Sequence, residues 1–482
     1  MANKYVEEFK REYINNCHPY LYVGDPSGKR VTTEAMLDNI LEETYTLLES
    51  KENKDKTLEE KIDLIIEKNI IQYEDYRKYC GMPGYSASIL VNGMNINFYG
   101  GQIKTNGDLL SENALFDIAS MTKFYTMIIA YKLINSGLLK RSDRIIDLDS
   151  RFVNLGKVTV DDILTFSVKF QTMDINKEKN ESIKDRETTE GALDTLYRTS
   201  VVKIGEYNYN DIGLMIMSKV MEKLTGKTYS ELFDEYIVKP YNLKNTHVIV
   251  PKEKRHLITG SSNAEYGLST DITAASVAKY NEKTDEYEAC SGSAGCFTTS
   301  RESLDFMNKV TNINPVKGIE DAYRPNKLKD YRGHMGPTFV NHYDGVDLTF
   351  LDSLDPWKSY CISGSSRTNA TISKNSGHSI FFNPASMDED EVRRQMPRIK
   401  EDLAKKGKTT SFEQTVVKFP KIKCGKKITL TLIDPRNILE VSYMENASRL
   451  MAETVVRLMF LDYLTRQVEK ENEIEYTRHV VR

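Results

Sequence analysis

Hydrophobic residues recur every three to four positions in "TTEAMLDNILEETYTLLES" and "TLEEKIDLIIEKNI", the period of helices with one buried stripe. The "KENKDK" between them is a solvated turn, and residues 1–84 read as a helical N-terminal extension that serves packing or interaction. At "GYSASILVNGMNINFYGG" the period falls to two on either side of Asn92 and Gly93, which predicts a β-hairpin. Residues 116–300 return to a mostly helical pattern. Within them "IGLMIMSKVMEKLTG" ends on a glycine placed where a left-handed C-cap belongs.

Strand patterns resume after about residue 335, in "PTFVNHYDGVDLTFL", "SYCISGSSRTNATIS" and "HSIFFNP", and later in "KITLTLIDP" and "ILEVSYM". A charged helical insertion at about 385–426 interrupts them; its "MDEDEVRR" places acids at a helix start and reads as a solvated face rather than a cation site. The chain closes on the helical "ASRLMAETVVRLMFLDYLTRQVEK" and a tail over 471–482. Strands at both ends with helices between predict one sheet assembled from distant segments, an α+β domain over 85–470 with a mainly helical lobe at about 140–330.

At 482 residues the chain is too long for one compact core, which favours two lobes or large insertions. Lys and Arg number 66 against 70 Asp and Glu, a net charge of −4 with no basic stripe, so neither a nucleic-acid partner nor an anionic membrane is expected. Six cysteines lie scattered without CxxC spacing and read as reduced thiols. The charged start "MANKYVEEFKREYINNC" lacks the apolar core of a secretory signal, and no window approaches eighteen uninterrupted apolar residues. A cytoplasmic protein is the expectation. His247, His256, His342 and His378 stand singly and no glycine-rich phosphate loop follows a strand, so no metal and no cofactor are expected. The expected partner is a small molecule or peptide acting as substrate, and the oligomeric state is left open.

The chemistry concentrates in "FDIASMTKFYTMIIAYKLINSG", where an otherwise apolar helix carries Ser120 and Lys123. Residues three apart share a helix face, so the hydroxyl and the amine can meet. A serine needs a base to become a nucleophile, and a lysine desolvated among Phe124, Met127 and Ile128 is expected to have a lowered pKa and to act as that base. The Ser120 N–H, near a helix N-terminus, can bind an oxyanion. The competing reading is a serine cap and a lysine that snorkels to water. A second feature is "YNYNDIGLMIMSKVMEKLTG", with Tyr209, Asn210 and Asp211 just before a helix. A tyrosine beside an ammonium ionises more easily and can shuttle protons, while Asp211 or Asn210 can hold the lysine or the substrate. Here the plain alternative is a packed tyrosine and a capping aspartate.

These segments, together with "VTVDDILTF" and "GSAGCFTTSRESLDFM", resemble the serine β-lactamase and penicillin-binding-protein-like superfamily over about residues 85–465, in its class C β-lactamase, D-aminopeptidase and esterase branch. The resemblance implies an antiparallel sheet flanked by helices, a mainly helical lobe and a site in the cleft between them. It implies Ser120 as the acylated nucleophile, Lys123 as the lysine that helps deprotonate it, and Tyr209 as the tyrosine of a Tyr-x-Asn motif, general base and then general acid. Asp211 stands where many members have asparagine, and so would pair with Lys123 rather than donate to a substrate amide.

The family's Lys-Thr-Gly or His-x-Gly strand is where this chain departs. "GHMG" offers His334 by spelling, but order along the chain favours "CISGSSRTNATIS", which puts Ile362, Ser363 and Gly364 on the motif. Gly364 would admit substrate close to the backbone, the Ser365 N–H would complete an oxyanion hole with that of Ser120, and Arg367 would stand in for the missing cation. The resemblance therefore implies a serine hydrolase working through an acyl-enzyme on an ester, amide or small peptide, with poor or no β-lactamase activity. An acyltransferase or peptide-cyclising enzyme of the same fold, and a binding or sensing module without turnover, are the alternatives.

Overall fold

The computed structural model describes residues 3–13, 22–24, 30–171, 189–205, 208–260, 279–281, 286–288, 291–319, 324–325, 334–335, 360–364, 366, 368–372, 376–382, 388–405, 407–415, 417–418, 422–424, 428–430, 433–434 and 443–480. Three N-terminal helices, α1 (Lys4–Tyr13), α2 (Thr33–Leu48) and α3 (Leu58–Tyr79), lead into the hairpin β1 (Gly84–Val91) and β2 (Met94–Gly101). Helix α3 starts on a capping box, the Thr57 hydroxyl accepting from Glu60 N at 3.2 Å while the Glu60 carboxylate accepts from Thr57 N at 2.7 Å. Asn92 and Gly93 take φ of 46° and 90°, the two left-handed positions a tight hairpin turn requires.

Strands β3 (Tyr360–Gly364), β4 (Thr368–Ile372) and β5 (Ser376–Phe382) complete one antiparallel sheet in the order β3-β4-β5-β1-β2. The expected union of N-terminal and C-terminal strands is therefore present. "PTFVNHYDGVDLTFL" lies outside the described residues. Among the described residues of "KITLTLIDP", Ile428–Leu430 pairs with Ile422–Cys424 and Ile433–Asp434 with Val417–Lys418, apart from the main sheet. Of "ILEVSYM", Tyr443 and Met444 are helical rather than extended, the first turn of the closing helix.

The strand period of two splits the sheet into two buried faces. Tyr85, Ala87, Ile89, Val91, Ile380 and Phe382 share a core with α1, α2, α3 and two later helices, α7 (Glu389–Lys405) and α8 (Tyr443–Val480). The N-terminal extension is thus a structural layer: Tyr73 and Tyr76 of α3 set their rings 5.8 and 4.8 Å from Phe382. Helix α7, expected to be a solvated face, buries Val392, Met396, Ile399 and Leu403, and Arg398 grips Asp75 of α3 through two bonds of 2.8 and 2.7 Å. Helix α8 continues to Val480, where a tail was expected.

The other face belongs to the helical lobe, built around α4 (Thr122–Asn135), α5 (Ile212–Thr225) and α6 (Ser300–Asn308). Leu90, Ile362, Ala370, Ile372 and Phe381 join its core. Helix α4 is buried on nearly every side, the pattern of a central helix. Helix α5 ends at Gly226, φ 69°, as its sequence predicts. No helix among the described residues is long and apolar enough to cross a membrane.

Candidate active site

Ser120 sits in a 3-10 turn, Ala119–Met121, that runs straight into α4. The residue before it, Ala119, has φ 43°, a left-handed conformation that costs a β-carbon residue about 1–3 kcal/mol. The turn is held there from three directions. Asp117 Oδ1 accepts from Ala119 N at 3.0 Å, Ile118 N donates to Cys296 O at 3.0 Å, and the hydroxyls of Ser366 and Thr368 donate to the carbonyls of Asp117 and Ile118 at 2.5 and 3.3 Å. The half-buried Ser120 side chain is presented at the junction of sheet and lobe.

Lys123 lies in the first turn of α4 and its side chain has no exposed surface. Its Nζ donates to Ser120 Oγ at 2.9 Å, to Asp211 Oδ1 at 2.5 Å and to Ser293 O at 3.1 Å, so all three ammonium donors are engaged. The same Nζ lies 5.0 Å from the centre of the Tyr209 ring. Lys123 therefore does not snorkel, and Ser120 does not merely cap.

The expected lowering of the Lys123 pKa is overturned. Burial alone depresses it, but the Asp211 carboxylate and the Tyr209 phenol together outweigh that and hold the ammonium above its ordinary value. Desolvation was legible from the apolar neighbours; the compensating carboxylate arrives from a segment far along the chain.

Tyr209, Asn210 and Asp211 divide their labour. Asn210 caps α5, its Oδ1 accepting from Gly213 N at 2.8 Å, while its amide donates to Asn208 O at 2.8 Å. Asp211 makes no capping bond despite its cap position, which leaves its carboxylate for Lys123. The exposed Tyr209 lies against Phe166, ring centres 5.6 Å apart.

The segment 291–296 supplies a partner that sequence reasoning missed. Gly292 and Gly295 take φ of 77° and 110°, and the Ser291 hydroxyl accepts from the amides of Ser293 and Ala294 at 3.3 and 3.2 Å. This turns the Ser293 carbonyl onto Lys123. Thr126, one turn along α4, ties the same segment down by donating to Gly292 O at 2.5 Å while meeting Tyr229 Oη at 2.6 Å. The paired glycines of "GSAG" were the available signal for an irregular loop at the site.

The residues expected to take the place of the third motif lie in β3, the edge of the sheet among the described residues, beside the Ser120 turn. Ile362 pairs with Ala370, Ser363 with Asn369 and Gly364 with Thr368. Ile362 is 1% exposed and belongs to the lobe core, so its side chain is not a cleft group in place of a lysine or histidine. Gly364 is required by the fold itself: a Cβ there would lie 2.3 Å from Ile118 O and 2.4 Å from Thr368 Oγ1. Its missing side chain lets β3 close onto the Ser120 turn. Ser365 and Arg367 lie outside the described residues. Among the described residues no His, Cys, Asp and Glu cluster forms a metal site.

A family model described as Beta-lactamase matches residues 69–359. Among curated proteins, the teichoic acid D-alanine hydrolase of Staphylococcus aureus is 23% identical over 224 residues, which is 45% of this chain and 55% of that protein. The chain thus spans about half the length of the curated relatives it matches. Among solved structures, EstCE1, a hydrolase with promiscuous acyltransferase activity, aligns with a TM-score of 0.52 at 13% identity, over 69% of this chain and 98% of that one. The β-lactamase/D-alanine carboxypeptidase of Pseudomonas syringae aligns with a TM-score of 0.51 at 14% identity, over 69% and 96%. At these identities the structural likeness is one of fold.

Proposed function

The chain belongs to the β-lactamase family, and from that premise we propose that it is a serine hydrolase acting through an acyl-enzyme on an ester, amide or small peptide, with poor or no β-lactamase activity. The observation that carries the reading is the buried Lys123 ammonium, bonded at once to Ser120 Oγ, Asp211 Oδ1 and Ser293 O with the Tyr209 ring beside it. Because all three donors of Lys123 are taken and its proton is held tightly, the base is Tyr209 rather than Lys123. Tyr209, its ring 5.0 Å from the Lys123 ammonium, acts as the base and takes the Ser120 proton while Ser120 Oγ bonds to the substrate carbonyl carbon. Lys123 stabilises the charge passing between the two oxygens, and the Ser120 N–H faces the oxyanion. Tyr209 then protonates the leaving group, and a water deprotonated by Tyr209 releases the acyl group.

The buried Ile362 supports the exclusion of β-lactams: the strand offers no cation for a substrate carboxylate at that position. The Staphylococcus aureus relative makes D-alanyl groups one acyl class to assay. The acyltransferase activity of EstCE1 makes transfer to an alcohol or amine a second outcome for the same intermediate. A cytoplasmic location remains part of this proposal and is checked by cell fractionation. The catalytic assignment is tested with Tyr209→Phe on p-nitrophenyl esters: the rate is expected to fall by about a hundredfold or more, and an unchanged rate refutes Tyr209 as the base.

A further inference from the structure

Asp211 carries more information than its bond to Lys123. Its side chain is 39% exposed, and among the described residues only Oδ1 is engaged, with Lys123 Nζ. Capping of α5 is done by Asn210, so nothing in the helix claims the second oxygen. Oδ2 therefore carries no hydrogen bond among the described residues, on a partly exposed carboxylate that shares Lys123 Nζ with Ser120 Oγ. An asparagine at this position offers N–H donors; a carboxylate only accepts.

Resting on the hydrolase reading above, we propose that Asp211 Oδ2 is an amine subsite, selecting acyl groups that carry a protonated amine on the carbon next to the scissile carbonyl: aminoacyl esters and amides with a free amino group. The geometry and the charges agree. Once the acyl carbon is bonded to Ser120 Oγ, an α-amino group lies two bonds beyond it. Lys123 Nζ is bonded to Ser120 Oγ at 2.9 Å and to Asp211 Oδ1 at 2.5 Å, so the carboxylate and the acylated oxygen are neighbours across one ammonium. The positive charge of Lys123 is buried and fully ligated, so it offers no contact to a substrate carboxylate, whereas the exposed face of Asp211 attracts a cation. N-acylation of the amine removes its charge and places a carbonyl oxygen near a carboxylate oxygen, which repels it.

The test compares three esters of matched shape on the full chain: alanine methyl ester in both enantiomers, methyl isobutyrate, in which a methyl replaces the ammonium, and N-acetylalanine methyl ester. Each kcat/KM is divided by the ester's own hydroxide-catalysed rate, which removes the activating effect of the ammonium. The wild type is expected to prefer one alanine ester over methyl isobutyrate by about tenfold or more, the value of a hydrogen bond between charged groups, and to turn over the N-acetyl ester no better than methyl isobutyrate. In Asp211→Asn, which keeps an oxygen for Lys123, that ratio is expected to collapse toward one whatever happens to the absolute rate. Hydrolysis of methyl isobutyrate with no preference for the amine, or a preference that persists in Asp211→Asn, overturns the subsite and leaves the hydrolase reading standing. Turnover of none of the esters overturns the hydrolase reading and the subsite with it.

Discussion

Replacing Gly364 by alanine tests whether the close approach of β3 to the Ser120 turn sets the reactivity of the site. The new Cβ would lie 2.3 Å from Ile118 O and 2.4 Å from Thr368 Oγ1, and the first of these is backbone that cannot rotate away. An ordinary carbon–oxygen contact is about 3.3 Å, so strand and turn must separate by about 1 Å. Ile118 immediately precedes the strained Ala119, so the shift is transmitted to Ser120 and to its backbone amide, the proposed oxyanion donor. A displacement of about 1 Å in a positioned group costs about a hundredfold in rate, while overpacking one methyl costs about 1–3 kcal/mol of stability, tolerable for a domain with two large cores. The assay is the second-order rate constant for acylation by a fluorophosphonate, followed by intact-protein mass, with circular dichroism and thermal unfolding on the same sample. Folded Gly364→Ala that acylates at the wild-type rate refutes the reasoning, because the glycine would then serve no purpose in the geometry of the nucleophile.

Ile362→Lys would restore the family's cation in sequence, but the position is buried in the lobe core. It is expected to lower stability by about 3–5 kcal/mol, the cost of a buried unpaired charge, without raising β-lactam acylation; urea denaturation and nitrocefin turnover check both. Acid should weaken the fold through His378, whose two ring nitrogens have no partner among the described residues and whose burial pushes its pKa down to about 4. A depressed histidine contributes stability that is fully present above the unfolded value near 6.5 and is lost as pH falls toward 4, about 3 kcal/mol at most. His247, pushed down to about 4 by burial and by Lys254, adds in the same window. Urea midpoints at pH 7.5, 5 and 4 should therefore fall more steeply for the wild type than for His378→Leu, and parallel curves contradict the assignment.

The hairpin at Asn92 and Gly93, the α5 helix with its terminal glycine, and the meeting of Ser120 with Lys123 were legible because each depends on residues close in sequence. The protonation state of Lys123 was not legible from its own helix, because it is set against burial by Asp211, 88 residues away, a pairing that only the family resemblance suggested, and by Tyr209. Local pattern alone does not decide between Asn210 and Asp211 as the cap, since both side chains suit that role; the resemblance pointed Asp211 at Lys123, and the structure gives the cap to Asn210. Gly364 was expected to admit substrate close to the backbone; the group that comes close in the structure is the protein's own Ile118 carbonyl. The acidic stretch opening α7 concealed a buried face, because Val392, Met396, Ile399 and Leu403 are few among many charges.

The central claim is that Ser120 is an activated nucleophile. Intact-protein mass after incubation with a fluorophosphonate, on wild type and on Ser120→Ala, tests it most directly. One adduct on the wild type, absent from the folded variant, is the expected result. No adduct on folded wild type, or an adduct that survives Ser120→Ala, contradicts the account and turns the reading toward a binding module that keeps the fold without the turnover.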